Sequence, residues 1–140
     1  MITYALDSNI ISYILRDDEM VVKRYRQEAS YGSGLIIPPI VCYEIRRGLL
    51  LRNSFNRLYV FEKLCQEIEI GVFDISVWLK AAEIFAYLQK RGRPVSDKDS
   101  DADIFIAAYC LINDYTLVTD NSSHFERIDG LKYDNWKQRV

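Results

Sequence analysis

The chain is poor in the residues that carry most soft-metal and nucleophilic chemistry. It has three cysteines, Cys42, Cys65 and Cys110, and no Cys-x-x-Cys pair. That spacing excludes a zinc knuckle, and each cysteine sits among apolar neighbours as a small buried hydrophobe. Reduced thiols of this kind fit a cytoplasmic protein. There is one histidine, His124. It reads as a surface-loop residue, with contact to a phosphate as the alternative. No Ser–His–Asp or Cys–His arrangement is present, and neither a GxGxxG nucleotide loop nor a P-loop occurs. No apolar run approaches the ~18 residues of a membrane span. Met1 leads directly into a strand pattern, so no signal peptide is expected. There is no excess of positive charge either: the formal net charge is −2. This argues against non-specific nucleic-acid binding, although a clustered acidic site on a mildly basic body would hide in that average.

What is there suits one globular domain, residues 1–140. At 49% hydrophobic and 27% charged, with ten Tyr and six Phe, the chain can bury roughly two-thirds of its unfolded surface without a disulfide or structural metal. Ile2–Leu6 reads as a strand, ended by Asp7-Ser8-Asn9, three helix-capping residue types in a row. Helical spacing follows over 10–15 and again over 17–29. Leu35–Ile37 is a buried-type strand, and Pro39 opens a helix. A further helix is expected over 53–66, a period-2 strand over 67–73, and a helix over 74–91 capped by Asp74 or Ser76. A polar loop, 92–100, precedes an almost wholly apolar helix over 102–113, which should be buried on all sides. Strands at 115–119 and 131–134 complete the chain. Strands alternating with helices call for an α/β domain with a mainly parallel sheet covered by helices.

Several carboxylates fall where such a fold places a site. Asp7 and Asp120 each follow a strand, and ligands of open parallel sheets bind beyond the strands' carboxyl ends. Helix capping and an Asx-turn are the plainer readings of these two. Glu44 lies in an apolar helical stripe, an expensive position unless it is paired. Arg47 can pair with it, while Gly48 leaves room for a ligand. Asp101 reads as a helix cap, and Asp103, one step into the helix, as a complement to its dipole or a ligand. Together these acids make a hard-oxygen set with no histidine or cysteine cluster. Such a set selects Mg²⁺ or Mn²⁺, and such ions usually act on phosphates. Arg46 and Arg47, next to Glu44, are candidates for holding RNA phosphates.

Four stretches in order resemble the motifs of PIN-domain ribonucleases. They are Leu6-Asp7-Ser8-Asn9-Ile10-Ile11, Glu44-Ile45-Arg46-Arg47-Gly48, Asp101-Ala102-Asp103-Ile104-Phe105-Ile106-Ala107-Ala108 and Leu117-Val118-Thr119-Asp120-Asn121. The ending, His124-Phe125-Glu126-Arg127 with Gly130-Leu131 and Asn135-Trp136, is similar to that of the VapC-type toxins of toxin–antitoxin pairs. The resemblance implies a PIN-like three-layer α/β/α sandwich with a short-stranded, mainly parallel central sheet. It implies a metal-dependent endoribonuclease cutting structured RNA such as tRNA. Asp7, Glu44, Asp103 and Asp120 would be the catalytic and metal-binding acids and Asp101 an auxiliary ligand. Ser8, Thr119 and Asn121 would orient the carboxylates. Tyr109 stands where many relatives have His. The resemblance further implies a cytoplasmic homodimer, without membrane attachment. It implies a cognate small antitoxin that inserts a basic residue into the acidic site. Two rivals remain at this point: a PIN nuclease of RNA or DNA processing without an antitoxin, and a non-catalytic acidic domain binding a basic partner.

Overall fold

The computed structural model describes residues 1–92 and 100–137. The chain runs β1 (Thr3–Leu6), α1 (Ser8–Leu15), α2 (Glu19–Ser30), β2 (Gly34–Ile37), α3 (Pro39–Leu51), α4 (Phe55–Glu67), β3 (Glu69–Ile70), α5 (Ile75–Lys90), α6 (Ser100–Asn113), β4 (Thr116–Val118), a 3₁₀ turn at Ser122–His124 and β5 (Lys132–Asp134). The element order is the one the sequence implied. Helix starts carry their expected side chains: Asp7 caps α1, Asp18 caps α2 and Asp74, not Ser76, caps α5.

The five strands lie in the order β3-β2-β1-β4-β5, and all four pairings are parallel. The chain steps outward from β1 to β2 and β3, then returns past β1 to β4. Right-handed crossovers therefore put α1–α4 on one face and α5–α6 on the other, which gives the three layers. β1 is the centre, and the order reverses between β1 and β4. In open α/β sheets that reversal opens a crevice at the strands' carboxyl ends.

Apolar side chains from both faces close over the sheet. Leu6, Ile10, Ile11, Val21, Phe61, Leu117 and Phe125 are fully buried, each contributing roughly 1.5–3 kcal/mol. α6 supplies Ile104, Ile106, Ala107, Ala108, Tyr109 and Cys110 to the interior, but its last turn surfaces at Ile112. The tail folds back so that Trp136 meets Tyr4 of β1 edge-on, ring centroids 5.4 Å apart.

Two expectations change, and a third is untested. The period-2 pattern over 67–73 yields a strand of only two residues, because α4 runs on through Glu67 and β3 is an edge that pairs with β2 alone. Asp101 is not the cap of α6: the helix has already begun at Ser100, so Asp101 sits in its first turn. Of the 92–100 loop, residues 93–99, including Asp97 and Asp99, lie outside the described residues.

Trp136 is 2% exposed, and its indole Nε1 is the buried side-chain polar atom left without a hydrogen-bond partner among the described residues. Trp136→Ala should destabilise by about 3–5 kcal/mol through the cavity it leaves. Trp136→Phe should cost less than about 1.5 kcal/mol, since lost volume is offset by removal of an unpaired buried donor. Urea unfolding of the two variants measures the difference.

Candidate active site

The site grows from the parallel register of β1 and β4. Leu6 pairs with Val118, so the residues that follow each strand, Asp7 and Thr119, emerge side by side. The Thr119 hydroxyl donates to Asp7 Oδ2 at 2.8 Å, and the Ser8 backbone N–H donates to Asp7 Oδ1 at 2.8 Å. Asp7 is 4% exposed and Thr119 fully buried. Burial pushes the Asp7 carboxyl above the usual range, and the Thr119 and Ser8 donors pull it back only partly. Asp7 is thus both the cap of α1 and a buried carboxylate; the two readings are not exclusive.

A second layer of hydrogen bonds fixes Thr119. Its Oγ1 accepts from the Asn121 backbone N–H at 3.0 Å and from Asn9 Nδ2 at 3.4 Å, while Asn9 Oδ1 accepts from the Asp120 N–H at 3.1 Å. The Asp120 carboxylate is engaged at both oxygens. Tyr13 donates to Oδ2 at 2.6 Å and Asn135 Nδ2 to Oδ1 at 3.0 Å. Asp120 therefore ties α1 and the segment after β5 to the end of β4.

From the other face, α6 brings Asp103 to the same end of the sheet. Asp103 Oδ2 lies 3.3 Å from His124 Nδ1, and His124 is also a minor influence on Asp7. His124 is therefore not a plain surface-loop residue; the 3₁₀ turn after β4 brings it against Asp103. Asp101 is exposed on the first turn of α6. Next to Asp7, Ser8 opens into a cleft of about 270 Å³ shared with Ser12, Glu44, Arg47, Gly48 and Arg52. Glu44 is half-buried there. The room left by Gly48 is not empty, because the Arg52 guanidinium packs over it, 3.3 Å from where a Cβ would stand. The two arginines next to Glu44 part company. Arg47 lines the cleft, its guanidinium 5.1 Å over the Tyr43 ring, whereas Arg46 turns to α4 and pairs with Glu62 at 3.2 Å. Arg52 is the residue that sequence reasoning passed over, and the pairing of His124 with Asp103 went unforeseen. Arg52 carried a faint signal, one turn after Gly48 on α3.

The donor chemistry suits a hard divalent cation. Asp7 is a carboxylate whose desolvation is only partly offset, and Asp103, on the first turn of α6, adds a second carboxylate at the same end of the sheet, beside His124. Among the described residues no group of three His, Cys, Asp or Glu side chains is assembled to hold a metal ion. Mg²⁺ does not need one: it is commonly held by one or two carboxylates and keeps several waters.

A carboxyl with a raised folded-state pKa contributes stability when protonated and loses it as pH rises through that pKa. In EDTA, Asp7→Asn should therefore be at least as stable as the parent at neutral pH. The gap between the two should narrow as pH falls toward the ordinary carboxylate range. Adding Mg²⁺ should raise the melting temperature of the parent and not of the variant. Thermal unfolding across pH tests both signs.

The PIN domain family profile matches residues 4–131. The chain is 33% identical over 126 residues to the ribonuclease VapC1 of Methanocaldococcus jannaschii, spanning 86% of each chain. It is 27% identical to the tRNA(fMet)-specific endonuclease VapC of Shigella flexneri, over 97% of this chain and 99% of that one. A crystal structure of DNA-bound VapBC from Salmonella typhimurium superposes with a TM-score of 0.83 at 25% identity, covering 97% of this chain and 99% of its counterpart. A buried aspartate at the switch point of a five-stranded parallel sheet and these likenesses along nearly the whole length have one reading: the chain belongs to the PIN domain family, among its VapC-type ribonucleases.

Proposed function

We propose that this chain, acting as a single domain over residues 1–140, is the endoribonuclease toxin of a toxin–antitoxin pair. It hydrolyses phosphodiester bonds of structured RNA such as tRNA in the cytoplasm. The observation that carries the reading is the buried Asp7 carboxylate, held by Thr119 and Ser8 at the carboxyl end of the central strand, in a chain of this family. No helix among the described residues is long and apolar enough to cross a membrane.

The residues divide the work. Asp7 and Asp103 hold the divalent ion, Mg²⁺ or Mn²⁺, with Glu44 closing the site from the cleft side and Asp101 as an outlying ligand. A bound ion of this class lowers the pKa of its water and neutralises charge on the scissile phosphate. Thr119, fixed by Asn121 and Asn9, and Ser8 keep the Asp7 oxygens aimed; displacing such supporting partners typically costs 10- to 100-fold. Asp120, anchored by Tyr13 and Asn135, holds the end of β4 in register and completes the acidic set. Arg47 and Arg52, which line the cleft with Glu44, receive flanking phosphates as positioning contacts. Arg46 remains available for RNA only at the expense of its pairing with Glu62.

The partner is a cognate small antitoxin whose basic side chain would neutralise the acidic pocket by charge-assisted hydrogen bonds. Apolar side chains exposed along α5 and just before it, Val72, Ile75, Trp78 and Leu79, supply a face for a homodimer.

Purified protein freed of antitoxin should cut tRNA with Mg²⁺ or Mn²⁺ present. Asp7→Asn and Asp103→Asn should each lower the rate by at least about 100-fold, beyond the cost of losing a supporting partner, with circular dichroism unchanged. Arg52→Ala should act mainly on KM. Cleavage undiminished in excess EDTA would defeat this assignment.

A further inference from the structure

α3 and α4 form a helical hairpin joined by a tight turn, Arg52–Ser54, in which Asn53 takes the left-handed conformation at φ 52°. The ion pair between Arg46 and Glu62 sets the register of the two helices. One turn back along α3 from Arg46 is Cys42. One turn forward along α4 from Glu62 is Cys65. On antiparallel helices these positions face each other. The side chains agree with the register: the Cys65 thiol has the Cys42 thiol as a hydrogen-bonding neighbour and senses both Arg46 and Glu62. Both sulfurs belong to half-buried residues, whereas Cys110 is fully buried on α6. The sequence hid this pair, because 42 and 65 are far apart along the chain and have no metal-binding spacing.

We propose that Cys42 and Cys65 are a modification site, a dithiol that a peroxide converts to a reversible disulfide bridging α3 and α4. The pair lies outside the acidic site, and Cys42 precedes Glu44 by two residues, so the bridge would tie the helix that carries the cleft wall to its neighbour. Burial pushes the Cys65 thiol up to about 11, which disfavours its thiolate. Either sulfur can take the first oxygen; with Cys42 first, the steps are these. The Cys42 sulfur takes one peroxide oxygen, the O–O bond breaks, and the other oxygen leaves as hydroxide and is protonated to water. Cys65 sulfur then displaces hydroxide from the Cys42 sulfenic acid; the S–S bond forms, the S–O bond breaks, and a second water results. Two thiols and one peroxide give one disulfide and two waters. Attack of an external thiol on the bridge returns the dithiol.

The full chain is treated with hydrogen peroxide, denatured, alkylated with iodoacetamide and mapped by mass spectrometry. The expected product is a cross-linked peptide pair containing Cys42 and Cys65, an intact mass lower by two hydrogens before alkylation, and Cys110 as the one alkylated thiol. Dithiothreitol should restore three alkylatable thiols. In Cys42→Ser and Cys65→Ser no intramolecular bridge should form. Three thiols still alkylated after excess oxidant, oxygen adducts in place of the bridge, a disulfide between two copies of the chain, or an intramolecular bridge that survives in either serine variant would each overturn the proposal.

Discussion

The hydrogen bond from Thr119 to Asp7 is the constraint on which the site depends. It joins the residue after the central strand to the residue after its neighbour. A carboxylate removed from water is costly unless donors and positive charge replace the solvent. Here a hydroxyl and a backbone N–H replace part of it, and the remaining deficit leaves Asp7 receptive to a cation. The parallel pairing of Leu6 with Val118 makes the contact possible, so the register of the sheet is also the geometry of the site. A slip of one residue would turn Thr119 away and leave Asp7 buried without its partner.

Around that bond the molecule separates its charges. Acids gather at the crevice from both faces, Asp7 and Asp120 from the sheet ends and Asp103 from α6. Arginines Arg47 and Arg52 lie on the cleft wall beyond Ser8. A near-neutral net charge conceals this division, which under the proposed function would let one surface hold a cation and an RNA backbone together. The tail takes part as well. Asn135 binds Asp120 and Trp136 seals β1, so the last elements of the chain lock the first.

Much of the fold was legible because its signals are local. Asp7-Ser8-Asn9 announces a strand-to-helix turn, Pro39 opens α3, and Asp74 caps α5. β3 was misjudged in length because alternation over 67–73 records which side chains face inward, while strand length depends on a partner strand being there to bond. Asp101 looked like a cap because Asp is a capping residue; Ser100 is already helical. The acids Asp7, Glu44, Asp103 and Asp120 stood out singly by position, and the ordered family resemblance linked them. Their partners were invisible. Tyr13 and Asp120 meet across 107 residues, and Asp103 and His124 across 21.

By itself, then, the sequence determined the alternation of strands and helices, the capping residues and the inventory of hard oxygen donors, because each is written in spacing of a few residues. Tertiary structure alone decided which donors face one another. It decided that the Thr119 hydroxyl donates to Asp7, that Arg52 fills the room beside Gly48, that Arg46 is drawn off to Glu62, and that Cys42 meets Cys65. Those outcomes follow from strand order, helix register and burial, which bring together side chains that no local pattern connects.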